Sequence, residues 1–135
     1  MPPARLASSD DARQREGEAV RTYAFRALED EVRTVVMAGQ GTRNDALNKA
    51  ALALGQLVSA GAVGEQMVRA ALEEAAAQSG LVKDDGIKSV RATIGSGINA
   101  GLRQPRDLTT IRETARRRRS PPHAHSRVSA SRATS

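Results

Sequence analysis

The feature that most restricts this chain is its lack of large rings: 135 residues contain one Tyr, one Phe and no Trp. An interior must then be assembled from Ala, Leu, Val and Ile, and such side chains fill space only when backbones approach closely. Helices that meet through small residues satisfy this condition. The length suits one domain. The chain has no Cys, which removes disulfides, thiolate zinc sites and cysteine nucleophiles together. Its first residues, MPPARLASSDDARQREGE, are polar, and no apolar run nears the length that spans a bilayer. The expectation is a cytoplasmic protein with no membrane partner.

Hydrophobic spacing points the same way. Residues 1–9 read as a disordered lead. From about Asp10 to Met37, Val20, Ala24, Leu28, Val32, Val35 and Val36 recur at helical intervals. Gly39 and Gly41 then offer the positive φ of a helix end. A second helix starts near Thr42 or Asn44, where Thr42 to Asp45 fits a weak capping box, and buries Leu47, Ala50, Ala51, Leu54, Leu57 and Val58. A third runs over about 64–78 with Val68, Leu72, Ala75 and Ala76 inward. The fourth runs from about Lys83 or Asp84 to Leu102, with Ile87, Val90, Ile94, Ile98 and Leu102 inward, until Gln104 and Pro105 end it. The fold class is all-α, a small four-helix bundle with a long first helix, over residues 10–106.

Charge is distributed unevenly. Residues 1–102 hold 12 Lys/Arg against 13 Asp/Glu, and residues 103–135 hold nine Arg against two acids. The basicity thus belongs to a tail. The stretch DLTTIRETARRRR has no helix breaker, but SPPHAHSRVSASRATS is rich in Ser, Arg and Pro, and residues 107–135 read as a disordered basic tail. The run Arg116, Arg117, Arg118 and Arg119 suits any polyanion.

Two stretches carry candidate binding chemistry. In GTRNDALNKA, Asn44 and Asn48 share a helix face at i and i+4, with Arg43 beside them near a positive helix terminus. Amides, a guanidinium and free backbone N–H groups suit a phosphate or a base edge. Equally, Asn44 can be a cap, Asn48 a surface residue and Arg43 a solvated charge. In RATIGSGINAGLRQPR, Gly95, Gly97 and Gly101 each cost a helix about 1 kcal/mol relative to Ala, so something must compensate. Close packing is one compensation. A backbone approached by phosphate is the other, with Thr93, Ser96 and Asn99 near Lys88, Arg91, Arg103 and Arg106.

No arrangement of acids, His and nucleophiles suggests catalysis. His123 and His125 stand in a Ser/Pro context without a third ligand, so neither a metal nor a cofactor is expected.

The pattern Gly41-x-Arg43-Asn44-x-x-Leu47-x-x-Ala50, continued by Leu54-Gly55-Gln56-Leu57-Val58 and Gly61, resembles the helical segment that follows the primase–polymerase domain in phage, plasmid and actinobacterial replication proteins. More distantly it is similar to primase C-terminal helical domains. Val68, Ala71, Leu72, Ala75, Ala76, Gly80 and Leu81, then Ala92-Thr93-Ile94-x-Ser96-Gly97, Gly101, Pro105 and Arg106, extend the likeness over about residues 20–106. The resemblance implies a non-enzymatic accessory module that engages DNA, single-stranded template first and nucleotide second, beside a primase–polymerase or helicase. It carries over Arg43, Asn44, Asn48, Thr93 and Ser96 as contact positions. This sequence departs from the pattern at Leu52, where Phe is frequent, and at Gly86, where a helix former is usual. It holds neither the primase–polymerase's metal-binding acids nor a P-loop, which suggests a stand-alone or truncated module. The alternative is a protein-interaction module or remnant that docks a replication partner through its helical surface, at the ridge of Gly97 and Gly101. A helix-turn-helix reader fits less well, because the segment EQMVRAALEEAAAQ is acidic.

Overall fold

The structure, a computed structural model, describes residues 2–117. Among them are six helices: α1 Pro2–Met37, α2 Arg43–Ser59, α3 Glu65–Ser79, α4 Leu81–Asp85, α5 Ile87–Leu102 and α6 Thr109–Arg117. The all-α class holds, with two helices more than the spacing suggests. The expected fourth helix is divided at Gly86, whose φ of 91° and ψ of 153° no helix accommodates. The sixth helix lies in the stretch read as tail. Helix α1 takes in residues 2–9, read as a lead, since two prolines are tolerated in a first turn and Ala4, Arg5, Leu6 and Ala7 favour a helix.

The chain divides into two compact units. The larger, Arg21–Asp107, holds the rest of α1 with α2 to α5. Its largest fully buried side chains are Val35, Leu47, Leu54, Leu57, Val68, Leu72, Val90, Ile94 and Ile98, all aliphatic. Both aromatic residues stay out of this core: Tyr23 is half-buried and Phe25 is 53 % exposed.

Within this unit α2 and α5 are the most closely packed pair, and they run parallel: Asn44 meets Thr93, Gly55 meets Ile98, and the Ser59 hydroxyl donates to the Leu102 carbonyl at 2.8 Å. Three glycines permit the approach. A Cβ on Gly55 would lie 2.6 Å from the Ile98 carbonyl oxygen, and one on Gly97 2.5 Å from the Ala51 Cβ. A Cβ on Gly101 would overlap the Leu52 carbonyl oxygen and lie 2.7 Å from the Gln56 nitrogen. Backbone against backbone is how an interior without rings is closed. The ridge of Gly97 and Gly101 is therefore occupied from within, and cannot serve as the docking surface of the interaction-module reading. Helix α3 lies antiparallel to α5, with Glu73 against Arg91 and Arg69 beside Gly95.

Turn chemistry differs from expectation at two points. Of Gly39 and Gly41, the two glycines expected to end α1, only Gly41 has positive φ, at 93°. Thr42 makes no side-chain cap to α2; its hydroxyl donates to the Gly39 carbonyl at 2.9 Å and closes the turn before the helix.

The smaller unit consists of Met1–Val20 with Leu108–Ser135. In its described part Val20, Leu108 and Ala115 are buried, and Arg116 of α6 donates through Nε to the Glu16 carboxylate of α1 at 2.7 Å. Residues 109–117 thus fold as a helix where the composition reads as tail, because Leu108 and Ala115 supply the apolar anchor that the surrounding arginines mask.

Candidate nucleic-acid interface

The two stretches singled out by sequence meet. Thr93 of α5 donates its hydroxyl to the Asn44 Oδ1 of α2 at 3.0 Å, across 49 positions of sequence. This bond occupies the amide oxygen and leaves the Asn44 Nδ2 hydrogens directed elsewhere. Asn44 and Asn48 are both exposed, as are Ser96 and Asn99. The Asn48 backbone carbonyl stands 2.9 Å from where a Gly97 Cβ would be, so Asn48 flanks the same seam as Ser96. On α5 and at its C-cap, Lys88, Ala92, Ser96, Asn99 and Arg103 recur at intervals of three and four and are all exposed, a stripe that is polar except at Ala92.

Several expected contact residues are engaged inside the fold. Arg43 donates through Nη1 to the Asp84 carboxylate at 2.7 Å and packs its guanidinium over Gly80, the left-handed cap of α3. Its side chain is 20 % exposed. Arg43 thus joins the start of α2 to α4, and is no freely solvated donor. Arg91 pairs with Glu73 at 3.1 Å, tying α5 to α3. Arg106 is the most fully committed: Nη1 donates to the Tyr23 hydroxyl at 2.9 Å, Nη2 to the Gln56 Oε1 at 3.1 Å and to the Ala53 carbonyl at 3.4 Å. Its backbone nitrogen also donates to the Gln56 carbonyl at 3.1 Å. It clamps the segment after α5 onto α1 and α2. Close by, burial pushes the Glu31 carboxyl above its ordinary range, and the positive charge of Arg106 partly offsets this.

The structure leaves Lys88 and Arg103 as exposed cations with no ion-pair partner among the described residues. Lys49, one turn from Asp45, pairs with it at 3.0 Å, so the first turn of α2 carries its own counter-charge. In the smaller unit Arg116 is paired with Glu16, and Arg117 is exposed. Arg118, Arg119, His123 and His125 lie outside the described residues. Among the described residues no group of His, Cys, Asp and Glu is placed to hold a metal ion, and no helix is long and apolar enough to cross a membrane.

Sequence spacing located the donors but not their partners. Asp84 and Glu73 have no local signal that assigns them to Arg43 and Arg91, and the Tyr23 hydroxyl lies 83 positions from Arg106.

Fold and site together define a small all-α module with a polar seam between two parallel helices and a separate arginine-bearing helix. In comparisons with known proteins, no family model, no curated protein and no solved structure matches the chain.

Proposed function

We propose that the protein is a non-catalytic module that engages DNA, single-stranded template first, as an accessory to a primase–polymerase or replicative helicase. The observation that carries this reading is the Thr93–Asn44 bond at 3.0 Å, since it joins the two stretches on which the family resemblance rests into one exposed polar surface. Asn44, Asn48, Ser96 and Asn99 supply hydrogen-bonding groups there, while Lys88 and Arg103 supply charge. The seam holds no exposed aromatic residue on which bases could stack, so contact is to the sugar–phosphate backbone. With two free cations the folded seam releases about 1.4 ions per single strand, which is weak. The arginines after residue 115 supply the rest of the affinity.

The test is fluorescence anisotropy of a labelled 20-nucleotide single strand and the matching duplex with the full chain between 50 and 200 mM salt. Lys88→Ala and Arg103→Ala should each weaken single-strand binding and lower the salt slope by about 0.7 without moving the melting temperature. Asn48→Ala should weaken binding at unchanged slope. No measurable binding of either nucleic acid at 50 mM salt would sink the reading.

A further inference from the structure

The ion pair between Glu16 and Arg116 has a property that a simple surface bridge lacks: one carboxylate stands among several arginines of the smaller unit. Arg116 Nε donates to Glu16 Oε2 at 2.7 Å. Arg112 lies one turn before Arg116 on α6, and Arg13 one turn before Glu16 on α1, so each shares a helix face with its partner in the bridge. Arg112, Arg116 and Arg13 all act to hold the Glu16 carboxyl below its usual range, the hydrogen bond from Arg116 foremost. Glu16 is itself well covered, its side chain 15 % exposed, whereas Arg116 is 59 % exposed. The arginine therefore still faces solvent while the carboxylate is tucked beneath it.

A guanidinium fork accepts a carboxylate and a phosphate by the same planar geometry. A single ion pair whose arginine faces solvent is screened by salt and can be exchanged for another anion. We propose that Arg13, Arg112 and Arg116 form a phosphate-binding cluster for a nucleic-acid strand, and that Glu16 is its internal occupant, a competitor that the strand must displace. This rests on the DNA-engaging reading above and adds regulation to it: the carboxylate keeps α6 docked when no strand is present and limits affinity for stray polyanions. Binding then transfers Arg116 from Glu16 to a phosphate oxygen.

The experiment compares the full chain with Glu16→Gln, Glu18→Gln, Arg116→Gln and the Glu16→Gln/Arg116→Gln pair, with helicity checked by circular dichroism. Glu18 is the control, because it is exposed, makes no ion pair among the described residues, and loses the same charge. Two probes are used, a labelled 20-nucleotide oligothymidylate and a heparin column. Removing the competitor should tighten oligonucleotide binding about two- to fivefold and steepen the salt slope by about 0.7, with later elution from heparin. Glu18→Gln should give less than half that gain, and the gain should vanish when Arg116 is already Gln. If Glu16→Gln and Glu18→Gln behave alike, or the gain survives in the Arg116→Gln background, only net charge matters and the competition is refuted. Weaker binding by Glu16→Gln refutes it as well, since Glu16 then serves to position α6. Heparin separates the two ideas: a heparin shift specific to Glu16→Gln without any oligonucleotide binding upholds the competing carboxylate and removes DNA as the strand. Oligonucleotide binding by the wild type that Glu16→Gln leaves unchanged does the reverse.

Discussion

Helices α2 and α5 touch through glycine backbones, whereas among the described residues of the smaller unit only Val20, Leu108 and Ala115 are buried and α1 and α6 are joined besides by one arginine and one glutamate. The first contact excludes water and contains no buried charged or polar residue. The second depends on the protonation of Glu16 and on salt. A chain with few rings thus uses two means of joining helices: shape where it can bring backbones together, and charge where its composition is too polar to bury. Each should fail under a different perturbation.

The largest effect is expected at the glycine seam. Gly101→Val puts a side chain into the space of the Leu52 carbonyl and must force α2 and α5 apart, so it should lower stability by about 3 kcal/mol or more in urea unfolding, with broadened cooperativity. A loss below about 1 kcal/mol would mean that the helices slide apart freely and that the comparison is wrong. Leu54→Ala empties a fully buried position on α2 and should cost about 2 to 5 kcal/mol. Next in size, Arg106→Met removes the bonds to Tyr23, Gln56 and Ala53 while keeping the length of the side chain, and should cost about 1.5 to 3 kcal/mol. Tyr23→Phe isolates one of those bonds and should cost about 0.5 to 1.5 kcal/mol.

The smallest effects concern pH. The Glu16 carboxyl is lowered in the fold, so its contribution is present above the ordinary glutamate range and is lost as pH falls through the lowered value. Hydrogen-exchange protection of α6 should therefore decline in acid, and in high salt at neutral pH, before that of α2 or α5 changes. Glu31 behaves oppositely. Its carboxyl is raised, so its burdensome charge disappears as pH falls through that raised value, and Glu31→Gln should slightly increase the melting temperature at pH 7. Equal loss of protection in α5 and α6 on acidification would erase the distinction between the two kinds of contact.

The aliphatic face was legible because burial in a helix repeats: Leu47, Leu54, Val68, Leu72, Ile94 and Ile98 all lie inside as their spacing requires. Gly97 and Gly101 were readable as a packing ridge, but its partner Gly55 was not, since nothing local to Gly55 says which helix will cross there. Gly86 looked like a weak residue in a continuous helix, because the apolar period runs on past it while only its backbone angles stop. Helix α6 was hidden by arginines that outweigh Leu108 and Ala115 in any average. At the site, Asn44 and Thr93 could be named but not paired, and Arg43 could be named as a donor while its acceptor, Asp84, stood 41 residues away. Long-range ion pairing leaves no periodic trace in sequence.

The parallel arrangement of α2 and α5 also bears on how the protein is made. Parallel neighbours cannot be joined by a short turn, and here α3 and α4 fill the interval, so the tightest seam joins residues 49 positions apart at Asn44 and Thr93. The α2–α3 hairpin closes only a brief loop and can form early, whereas seating α5 requires closure of the whole intervening segment before any glycine contact rewards it. Contact order thus assigns the docking of α5 to a late step. Before α5 docks, the surface of α2 at Ala51 and Gly55, which receives Gly97 and Ile98 in the finished fold, has no cover from that helix.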